Sequence, residues 1–494
     1  MATYMTNPET PDAVNASNPH KLPLRLKTAY GFGSVAFGVK NNGFDYFLLL
    51  FYSQVVGLDA HLVGIAITTA LVFDALSDPV VGYWSDNLRS RWGRRHPFMY
   101  AALIPVSLSY FLLWNPPTDW DEQSLFWYLL VLAVIIRTFI TLYETPSSAL
   151  AAELTDDYQE RSSLLSFRYY FGWTGGNTMT VMMFFFIFPA MVTSTIADGR
   201  FNITSYEMLG AVGSVLIFIS ILVAALGTHS RIPYLKSPPP QRKMSLGRIF
   251  KEIFETLSNR SFVALFVGAL LGAIATGLAA ALAFYFYTYF WEFTSQQTGL
   301  ITMGVFLAAV IGGGLAPILS RRYGKKRAAM WVGLVAFLGA PLPVFLRLVG
   351  VLPDNGDPFV FWFVLITGVI DVGLIICFQI LYASMTADLV EQAELKTGRR
   401  SEGVFFSSVT FVRKSVQGLG LLFASFVLAM ADFPTGADVG QVSSQAVYKL
   451  GLYYVPTILT LWMAMIAVIS MYKLSEGEHA DNLQRLRAAA DQNR

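Results

Sequence analysis

Ten ionisable side chains lie inside long apolar segments of this sequence, where a charge is costly to bury. The acids are Asp45, Asp74, Asp78, Glu144 and Asp371, and the bases are Lys40, Arg137, Arg168, Arg413 and Lys414. Each costs roughly 2.5–3.5 kcal/mol at the middle of a lipid-facing helix, so the unpaired set would cost on the order of 25–35 kcal/mol. That exceeds the stability of an ordinary domain, so most of these side chains must face an interior or a water-filled cavity. The alternative is that these side chains form salt bridges that only hold the helices together. Because buried ion pairs often stabilise a protein no more than apolar packing does, we expect instead that the charges line a pathway for a solute.

Asp74 and Asp78 carry the most specific chemistry, because a spacing of four residues places both carboxylates on one helix face. Two carboxylates that lie close together in a low dielectric do not both ionise easily, so one takes up a proton or a cation binds between them. Pro79 donates no backbone hydrogen bond and thereby frees the carbonyl group of Ala75. With the hydroxyl group of Ser77, these oxygens could enclose Na⁺ or carry a proton. The alternative, a solvated helix end, fits less well with the apolar residues that follow.

A second set of polar residues surrounds Glu144. Thr141 shares its helix face at a spacing of three residues, and Arg137 lies two turns away on the same face. Arg168 and Lys414, in later apolar segments, add cationic groups that suit carboxylate, sulfonate or phosphate ligands and that also donate to sugar hydroxyls. These residue types favour a polar or anionic solute.

Twelve apolar segments, each about 20 residues long or longer, position these side chains. They lie near 28–56, 62–84, 97–115, 124–152, 162–191, 207–228, 261–291, 297–319, 328–350, 358–384, 402–431 and 447–472. The composition agrees, since 54% of the 494 residues are hydrophobic, only 14% are charged and the mean hydropathy is +0.50, whereas a soluble protein is nearer a quarter charged. The net charge of +2 gives no reason to expect nucleic acid as a partner. We predict an all-α, multi-pass membrane protein whose partners are the bilayer and a small-molecule substrate.

Other kinds of site have little support in the sequence. The single cysteine, Cys377, excludes an intramolecular disulfide and a cysteine metal cluster, and the five histidines avoid the middle of apolar segments. The sequence has no phosphate-binding glycine loop, nucleophile elbow or metal-ligand spacing. We therefore expect neither an enzyme nor a cofactor, and no metal ion beyond Na⁺ at the acidic pair.

The distribution of lysine and arginine predicts the orientation of the chain in the membrane. One set of connections and both termini are basic, whereas the opposite connections contain Arg200 alone, so we place both termini in the cytoplasm. A long polar stretch divides the chain into two halves of six helices. The predicted units are a disordered tail over 1–26, an N-terminal half over 27–228, a cytoplasmic linker over 229–260, a C-terminal half over 261–473 and a cytoplasmic tail over 474–494.

A repeated loop supports this division. Arg91-Trp92-Gly93-Arg94-Arg95 follows the second segment, and Arg322-Tyr323-Gly324-Lys325-Lys326 follows the eighth. Two six-helix halves with matching loops are typical of a duplicated transporter. We expect these cytoplasmic loops to gate the pathway, through Asp86, Arg91, Gly93, Arg94, Arg95, Arg322, Gly324 and Asp388.

At these residues the sequence resembles the glycoside–pentoside–hexuronide:cation symporters of the major facilitator superfamily, typified by melibiose permease. The matching pieces are Tyr30-Gly31-Phe32-Gly33, Asp74-x-x-x-Asp78-Pro79-x-x-Gly82, Asp86 with Arg91 to Pro97, Pro146, Arg161 to Arg168, Asp388 with Lys396-Thr397-Gly398-Arg399, and Lys414. The resemblance covers about residues 24–475 and implies a fold of twelve transmembrane helices, a place in the cell inner membrane and transport by alternating access. It also implies that Na⁺, H⁺ or Li⁺ binds in the N-terminal half, at Asp74, Ser77, Asp78 and Thr141, and that Glu144, Arg168 and Lys414 contact the solute.

Departures from the family pattern bear on the solute. Phe37 and Gly38 stand where melibiose permease has the Lys-Asp pair that holds galactosides, and Ser148 replaces its sugar-stacking tryptophan. Lys40 and Arg137 are additional cations, which we expect to bind an anionic solute such as a hexuronide or a sulfo-sugar. We predict a symporter that couples Na⁺ or H⁺ to a sugar or glycoside and works as a monomer. The alternative is a Na⁺-dependent lysophospholipid transporter of the same superfamily, which shares the acidic pair and the lysine.

Overall fold

The computed structural model of the chain describes residues 22–155, 158–235, 260–397, 419–437 and 440–472. Arg413, Lys414 and the side chain of Asp388 lie outside that description. All regular elements within the described ranges are helical. The predicted all-α class is therefore confirmed for the described part of the chain.

Helices α1 to α6 cover the first six predicted segments. α1 is a broken rod made of Leu24–Phe32, Val35–Asn42, the π-turn Gly43–Phe47, Leu48–Leu50 and the π-turn Phe51–Val56. The others are α2 (Ala60–Asn87), α3 (His96–Leu113), α4 (Glu122–Leu154), α5 (Tyr158–Met182, with the π-turn Met183–Ile187 and Phe188–Ala190) and α6 (Ile203–His229). Short 3₁₀ turns lie at Gly199–Phe201 and Ile232–Tyr234.

Helices α7 to α12 cover the remaining segments. They are α7 (Arg260–Tyr285, with the π-turn Phe286–Phe290), α8 (Ser295–Tyr323), α9 (Lys325–Gly339 and Leu342–Leu348), α10 (Pro358–Thr397), α11 (described over Leu419–Met430) and α12 (Ser444–Ser470). Among the described residues, nine helices are long and apolar enough to cross a membrane. The other three are α1, which is interrupted, α5, which is rich in polar residues, and α11, which is described only in part. The count of twelve spans therefore stays a prediction.

The even-numbered helices share a polar start. Each begins after a residue whose side chain accepts a hydrogen bond from a backbone N–H of the first turn, which satisfies a donor that the helix itself leaves free. These residues are Asp59, Asp121, Asn202, Thr294, Asp357 and Ser443. Such caps explain why these helices begin where they do, on the predicted extracytoplasmic side.

α1 and α5 approach each other through glycines. A Cβ atom on Gly38 would lie 2.0 Å from the carbonyl oxygen of Gly172, and one on Gly176 would lie 2.6 Å from the carbonyl oxygen of Gly38. Because these neighbours are backbone atoms, the two helices can lie this close only if the residues are glycine. The approach places the buried polar residues of α1 against those of α5.

The two halves contact each other at their predicted extracytoplasmic ends. The side chain of Gln54 in α1 donates to the carbonyl of Pro434 and accepts from the backbone N–H of Ala437, both at 3.2 Å. Arg200 donates to the hydroxyl group of Thr288 in α7 at 2.9 Å. These hydrogen bonds join the two halves on the predicted extracytoplasmic side.

Candidate functional site

α2 and α4 bring the acidic pair together around Thr141. Its hydroxyl oxygen lies 2.6 Å from Oδ1 of Asp74 and 3.0 Å from Oδ1 of Asp78, and both Thr141 and Asp74 are buried. A hydroxyl group has one proton to donate, so the second short contact is favourable only if a carboxyl group is protonated or a cation lies nearby. Ser77, the fourth residue predicted for the cation site, donates to the backbone carbonyl of Asp74 at 2.9 Å. Three of the four predicted side chains thus meet, whereas the hydroxyl group of Ser77 is bonded to the backbone of its own helix.

Arg137 of α4 lies against the same pair. Its Nη1 atom is 3.5 Å from Oδ2 of Asp74, and the two side chains are 6% and 3% exposed. The guanidinium Cζ lies 4.9 Å from the centre of the Phe44 ring in α1, and the carboxylates of Asp45 and Glu144 interact with it electrostatically. Arg137, predicted from sequence to contact the solute, is therefore placed inside the acidic cluster.

Arg168 of α5 is held against α4. It donates to the hydroxyl group of Ser147 at 2.9 Å and to the backbone carbonyl of Glu144 at 3.3 Å. Its Cζ atom lies 5.0 Å from the centre of the Phe37 ring in α1. The hydroxyl group of Tyr30 in α1 donates to the carbonyl of Ser147 at 2.9 Å. The part of α4 that carries the predicted solute residue Glu144 is thus fixed from two sides.

The solute residues that the structure describes belong to the N-terminal half. Lys40 is 4% exposed and lies on α1 between the two phenylalanines that contact Arg137 and Arg168. Asp371 lies elsewhere, on α10 beside Gly339 of α9. Lys414, the predicted contribution of the C-terminal half, falls outside the described residues. The predicted binding site is therefore described on its N-terminal side.

Phe37 and Phe44 are the site residues that the sequence analysis did not assign. Each lies beneath one buried arginine, and such a cation–π contact stabilises by about 0.5–2 kcal/mol. They are seven residues apart, about two turns of a helix. Their spacing in a segment that also contains Lys40 is the feature of the sequence from which they could have been predicted.

An ion cluster ties the loop after α2 to the end of α4. Oε1 of Glu153, a side chain only 5% exposed, lies 2.8 Å from both Arg94 and Arg95. Arg95 also contacts Asp86 at 2.5 Å and the hydroxyl group of Ser85 at 2.7 Å. Two of the predicted gating residues, Arg94 and Arg95, thus meet through Glu153, and a third, Asp86, joins them through Arg95. The sequence analysis did not place Glu153 in the gate.

The repeated loops share two local features in the two halves. Gly93 and Gly324 have φ values of 70° and 76°, a left-handed region that favours glycine. Arg91 and Arg322 each lie 5.4 Å from the ring of the aromatic residue that follows them. The two motifs therefore share these two features but differ in their surroundings, since residues 91–95 form turns whereas Gly324 is the single residue between two helices.

The match to known families decides the class of this protein. Residues 29–476 match the family model described as MFS/sugar transport protein. The chain belongs to this family. The resemblance of its motifs to the glycoside–pentoside–hexuronide:cation symporters is confirmed, and the protein is a multi-pass transporter of the inner membrane.

Relatives with assigned names are similar over most of their length. The chain is 26% identical to a glucuronide carrier protein homolog of Escherichia coli (strain K12), over 84% of this chain and 85% of that one. It is 22% identical to the isoprimeverose transporter of Lactiplantibacillus pentosus, over 90% and 88%. It is 23% identical to the sphingosine-1-phosphate transporter MFSD2B of Xenopus tropicalis, over 92% and 89%.

A solved structure supports the fold. The D-xylose-proton symporter superposes with a TM-score of 0.58 at 13% identity, over 89% of this chain and 97% of that one. At this identity the likeness concerns the fold alone. The predicted major facilitator fold is thereby confirmed.

Proposed function

We propose that this transporter couples the uptake of a sugar or glycoside to a cation, H⁺ or Na⁺, and that its solute is an anionic glycoside such as a hexuronide. The observation that carries the proposal is the pair of short contacts from the Thr141 hydroxyl group to Asp74 and Asp78. Two carboxylates held this close inside an apolar helix pair suit an exchangeable cation. The glucuronide carrier homolog and the isoprimeverose transporter among the relatives support a sugar-class solute.

Coupling follows from electrostatics. When a cation binds at the acidic pair, the repulsion between the two carboxylates of α2 falls, and their hydrogen bonds with Thr141 of α4 rearrange. α4 also carries Glu144, which with Arg168 and Lys414 is our candidate set for holding the solute. If the cation raises the affinity for the solute, the solute must raise the affinity for the cation by the same factor.

Transport then requires two states of the protein, one closed at the extracytoplasmic end and the other closed at the cytoplasmic end. The hydrogen bonds of Gln54 and Arg200 close the predicted extracytoplasmic end, so they must break for the opposite state to form. In that state we expect the basic loops around Arg91 and Arg322, together with Asp388, to close the cytoplasmic end. A carrier that moves one solute at a time needs no partner subunit, so we propose a monomer.

A lysophospholipid is the second candidate solute, because the sphingosine-1-phosphate transporter of Xenopus tropicalis is among the relatives. An anionic or zwitterionic head group would use the same cationic side chains as a hexuronide. The sugar-class relatives make the glycoside the stronger candidate. The experiment below separates the two.

We would reconstitute the purified protein in proteoliposomes and measure uptake of p-nitrophenyl β-D-glucuronide, p-nitrophenyl β-D-glucoside and lysophosphatidylcholine. Each would be tested with a pH gradient, with a Na⁺ gradient and with none. We expect gradient-driven accumulation of the glucuronide above that of the glucoside. Accumulation of lysophosphatidylcholine alone would replace the glycoside proposal by the lipid one.

Asp78→Asn tests the assignment of the cation site. We expect this variant to fold but to lose gradient-driven accumulation, because an amide neither ionises nor takes up the proton. Asp119→Asn, in an exposed loop, is the matched control and should accumulate solute like the unmodified protein. Intact gradient-driven uptake by Asp78→Asn would refute the assignment.

A further inference from the structure

We infer that Asp371 is a proton-binding site of the C-terminal half, whose carboxyl group keeps its proton at neutral pH and during transport and donates it to the interrupted backbone of α9. This inference does not depend on the solute or the coupling ion of the proposed function. It concerns an intramembrane acid to which the proposed function assigns no role.

Asp371 lies at a core position of α10. Val364 and Phe378 lie seven residues before and after it, which is about two turns of a helix, so the three side chains share one face. The two apolar side chains are 7% and 2% exposed, and the ring of Phe378 lies 5.0 Å from that of Phe337 in α9. Asp371 therefore belongs to the face of α10 that packs against α9.

The carboxyl group of Asp371 lies against the backbone of α9. A Cβ atom on Gly339 would lie 3.0 Å from Oδ1 of Asp371. That oxygen is buried and has no hydrogen-bond partner in the described part of the chain. Burial without a hydrogen bond disfavours the charged form of a carboxyl group, so the neutral acid is the favoured form here.

α9 offers this carboxyl group an acceptor. The helix is interrupted after Gly339, and Pro343 has no backbone N–H, so the carbonyl group of Gly339 lacks the donor that a continuous helix would supply four residues later. The N–H of Ala340 is already bonded within α9. A protonated carboxyl group has one O–H to donate, whereas an ionised one can only accept. The neutral form of Asp371 therefore matches the carbonyl group beside it.

The titratable groups that the neighbouring helices direct towards Asp371 are tyrosines. Tyr454 of α12 interacts electrostatically with Asp371 and with Tyr287 of α7, and a phenol is uncharged at neutral pH. Arg347, at the end of α9, and Lys449, near the start of α12, each pair with an acid of a neighbouring loop. These described groups supply no positive charge that would hold Asp371 in its ionised form.

Two bases of the C-terminal half lie outside the described residues. They are Arg413 and Lys414 of α11. The described part of α11 packs against α7, where a Cβ atom on Gly420 would lie 2.4 Å from the carbonyl oxygen of Ile274. If either base paired with Asp371, the carboxyl group would be ionised, and the measurements below are chosen to detect that charge.

Infrared spectroscopy can detect the proton directly. A protonated carboxylic acid has a carbonyl stretch that is separate from the amide bands and that disappears on ionisation. We would record difference spectra between the unmodified protein and Asp371→Asn, both purified in detergent at neutral pH. Glu153→Gln is the matched control, because Glu153 is also buried but contacts two arginines and should be ionised.

We expect Asp371→Asn to lose a protonated-acid band and Glu153→Gln to lose a carboxylate band. Loss of a carboxylate band from Asp371→Asn would overturn the inference. We also expect Asp371→Asn to melt with the unmodified protein, because its amide can donate to the same carbonyl group without a charge. An Asp371→Asn protein that fails to fold or melts well below the unmodified one would equally overturn the inference, since that is the result of stranding a paired charge.

Dicyclohexylcarbodiimide gives an independent test, because it reacts with the protonated form. The carboxyl proton moves to a nitrogen of the carbodiimide and the carboxyl oxygen bonds to its central carbon; the adduct then rearranges to an N-acylurea that retains every atom of both reactants. We would quantify the adduct by mass spectrometry, with the exposed Asp354 as internal control. We expect at least about tenfold more adduct at Asp371, since an exposed aspartate is almost wholly ionised at neutral pH. Equal labelling of the two would contradict the inference, and if neither is labelled the infrared spectra decide.

Uptake of p-nitrophenyl β-D-glucuronide shows whether the proton stays bound during transport. We expect Asp371→Asn to retain gradient-driven accumulation, in contrast to Asp78→Asn. A folded Asp371→Asn protein that loses accumulation would show that Asp371 exchanges its proton, which would overturn the inference. If the unmodified protein accumulates no solute, the proposed function is contradicted, while the infrared spectra still test Asp371.

Discussion

Glu153 is the residue whose change should most weaken the cytoplasmic loop of the N-terminal half. One of its carboxylate oxygens lies 2.8 Å from the guanidinium groups of both Arg94 and Arg95. Glu153→Gln keeps the shape and one acceptor oxygen but removes the charge. The buried Arg95 would then keep only Asp86, a side chain that is 53% exposed, and the half-buried Arg94 would lose the carboxylate partner shown for it.

The size of the effect follows from burial. Removing one partner of a buried ion pair costs about 3–5 kcal/mol, because the other charge stays buried. The amide oxygen of glutamine retains a hydrogen bond and Asp86 still pairs with Arg95, so we expect the lower end, about 3 kcal/mol. For a unit of about 200 residues, that corresponds to a melting temperature lower by about 6–12 °C.

The assay is the temperature at which half of the detergent-solubilised protein is lost from the monodisperse peak on size-exclusion chromatography. Asp354→Asn is the matched control, because Asp354 pairs with Arg347 but is fully exposed, and we expect no measurable shift for it. Arg94→Gln combined with Glu153→Gln should recover part of the loss, since it removes one of the stranded charges. A Glu153→Gln protein that melts with the unmodified one would refute the reasoning.

Two further predictions concern helix packing and the closed end. Gly38→Ala should lower the same melting temperature, because its Cβ would lie 2.0 Å from a backbone oxygen of Gly172 and such overpacking costs about 1–3 kcal/mol or more. Gly368→Ala is the control, since its Cβ would meet nothing within 4 Å, and its melting temperature should be unchanged or higher. Equal losses of melting temperature for the two variants would contradict this prediction. Arg200→Gln should lose a charged hydrogen bond to Thr288 of about 1.5–3 kcal/mol and thereby raise the population open at the predicted extracytoplasmic end at least about tenfold. Electron-spin distance measurements between labels on the two halves would show a new, longer distance, and an unchanged distribution would refute the role of Arg200.

The sequence was sufficient for the helices and for the acidic pair. Apolar length determines where a chain can cross a membrane, and helical segments occur within all twelve predicted ranges. The fixed spacing of Asp74 and Asp78 places them on one face, and Thr141 meets them as the family resemblance implies. Local periodicity and a family motif together therefore predict this part of the site.

The partners of the buried arginines could not be predicted in the same way. The position of Arg137 on its own helix was evident, but whether it faces Asp74 or a solute depends on how α1, α2 and α4 pack. That packing depends on the glycine contact at Gly38 and on the π-turns of α1, and neither leaves a periodic signal in the sequence. The contacts of Glu153 were not predicted for the same reason, since its two arginines come from a loop that folds back onto α4.

α4 connects every part of the candidate site. Arg137 and Thr141 lie at the coupling site, Glu144 follows one turn later, and Glu153 ends the helix at the cytoplasmic loop. Arg137 and Glu153 are sixteen positions apart, which corresponds to about 24 Å along the helix, so a shift of α4 at the acidic pair acts on both later positions. Pro146 interrupts the backbone hydrogen bonds between them, which would let the two parts bend independently. Because the braces from Tyr30 and Arg168 contact α4 immediately beside this proline, they limit that bending and keep the coupling site and the loop on one rigid element.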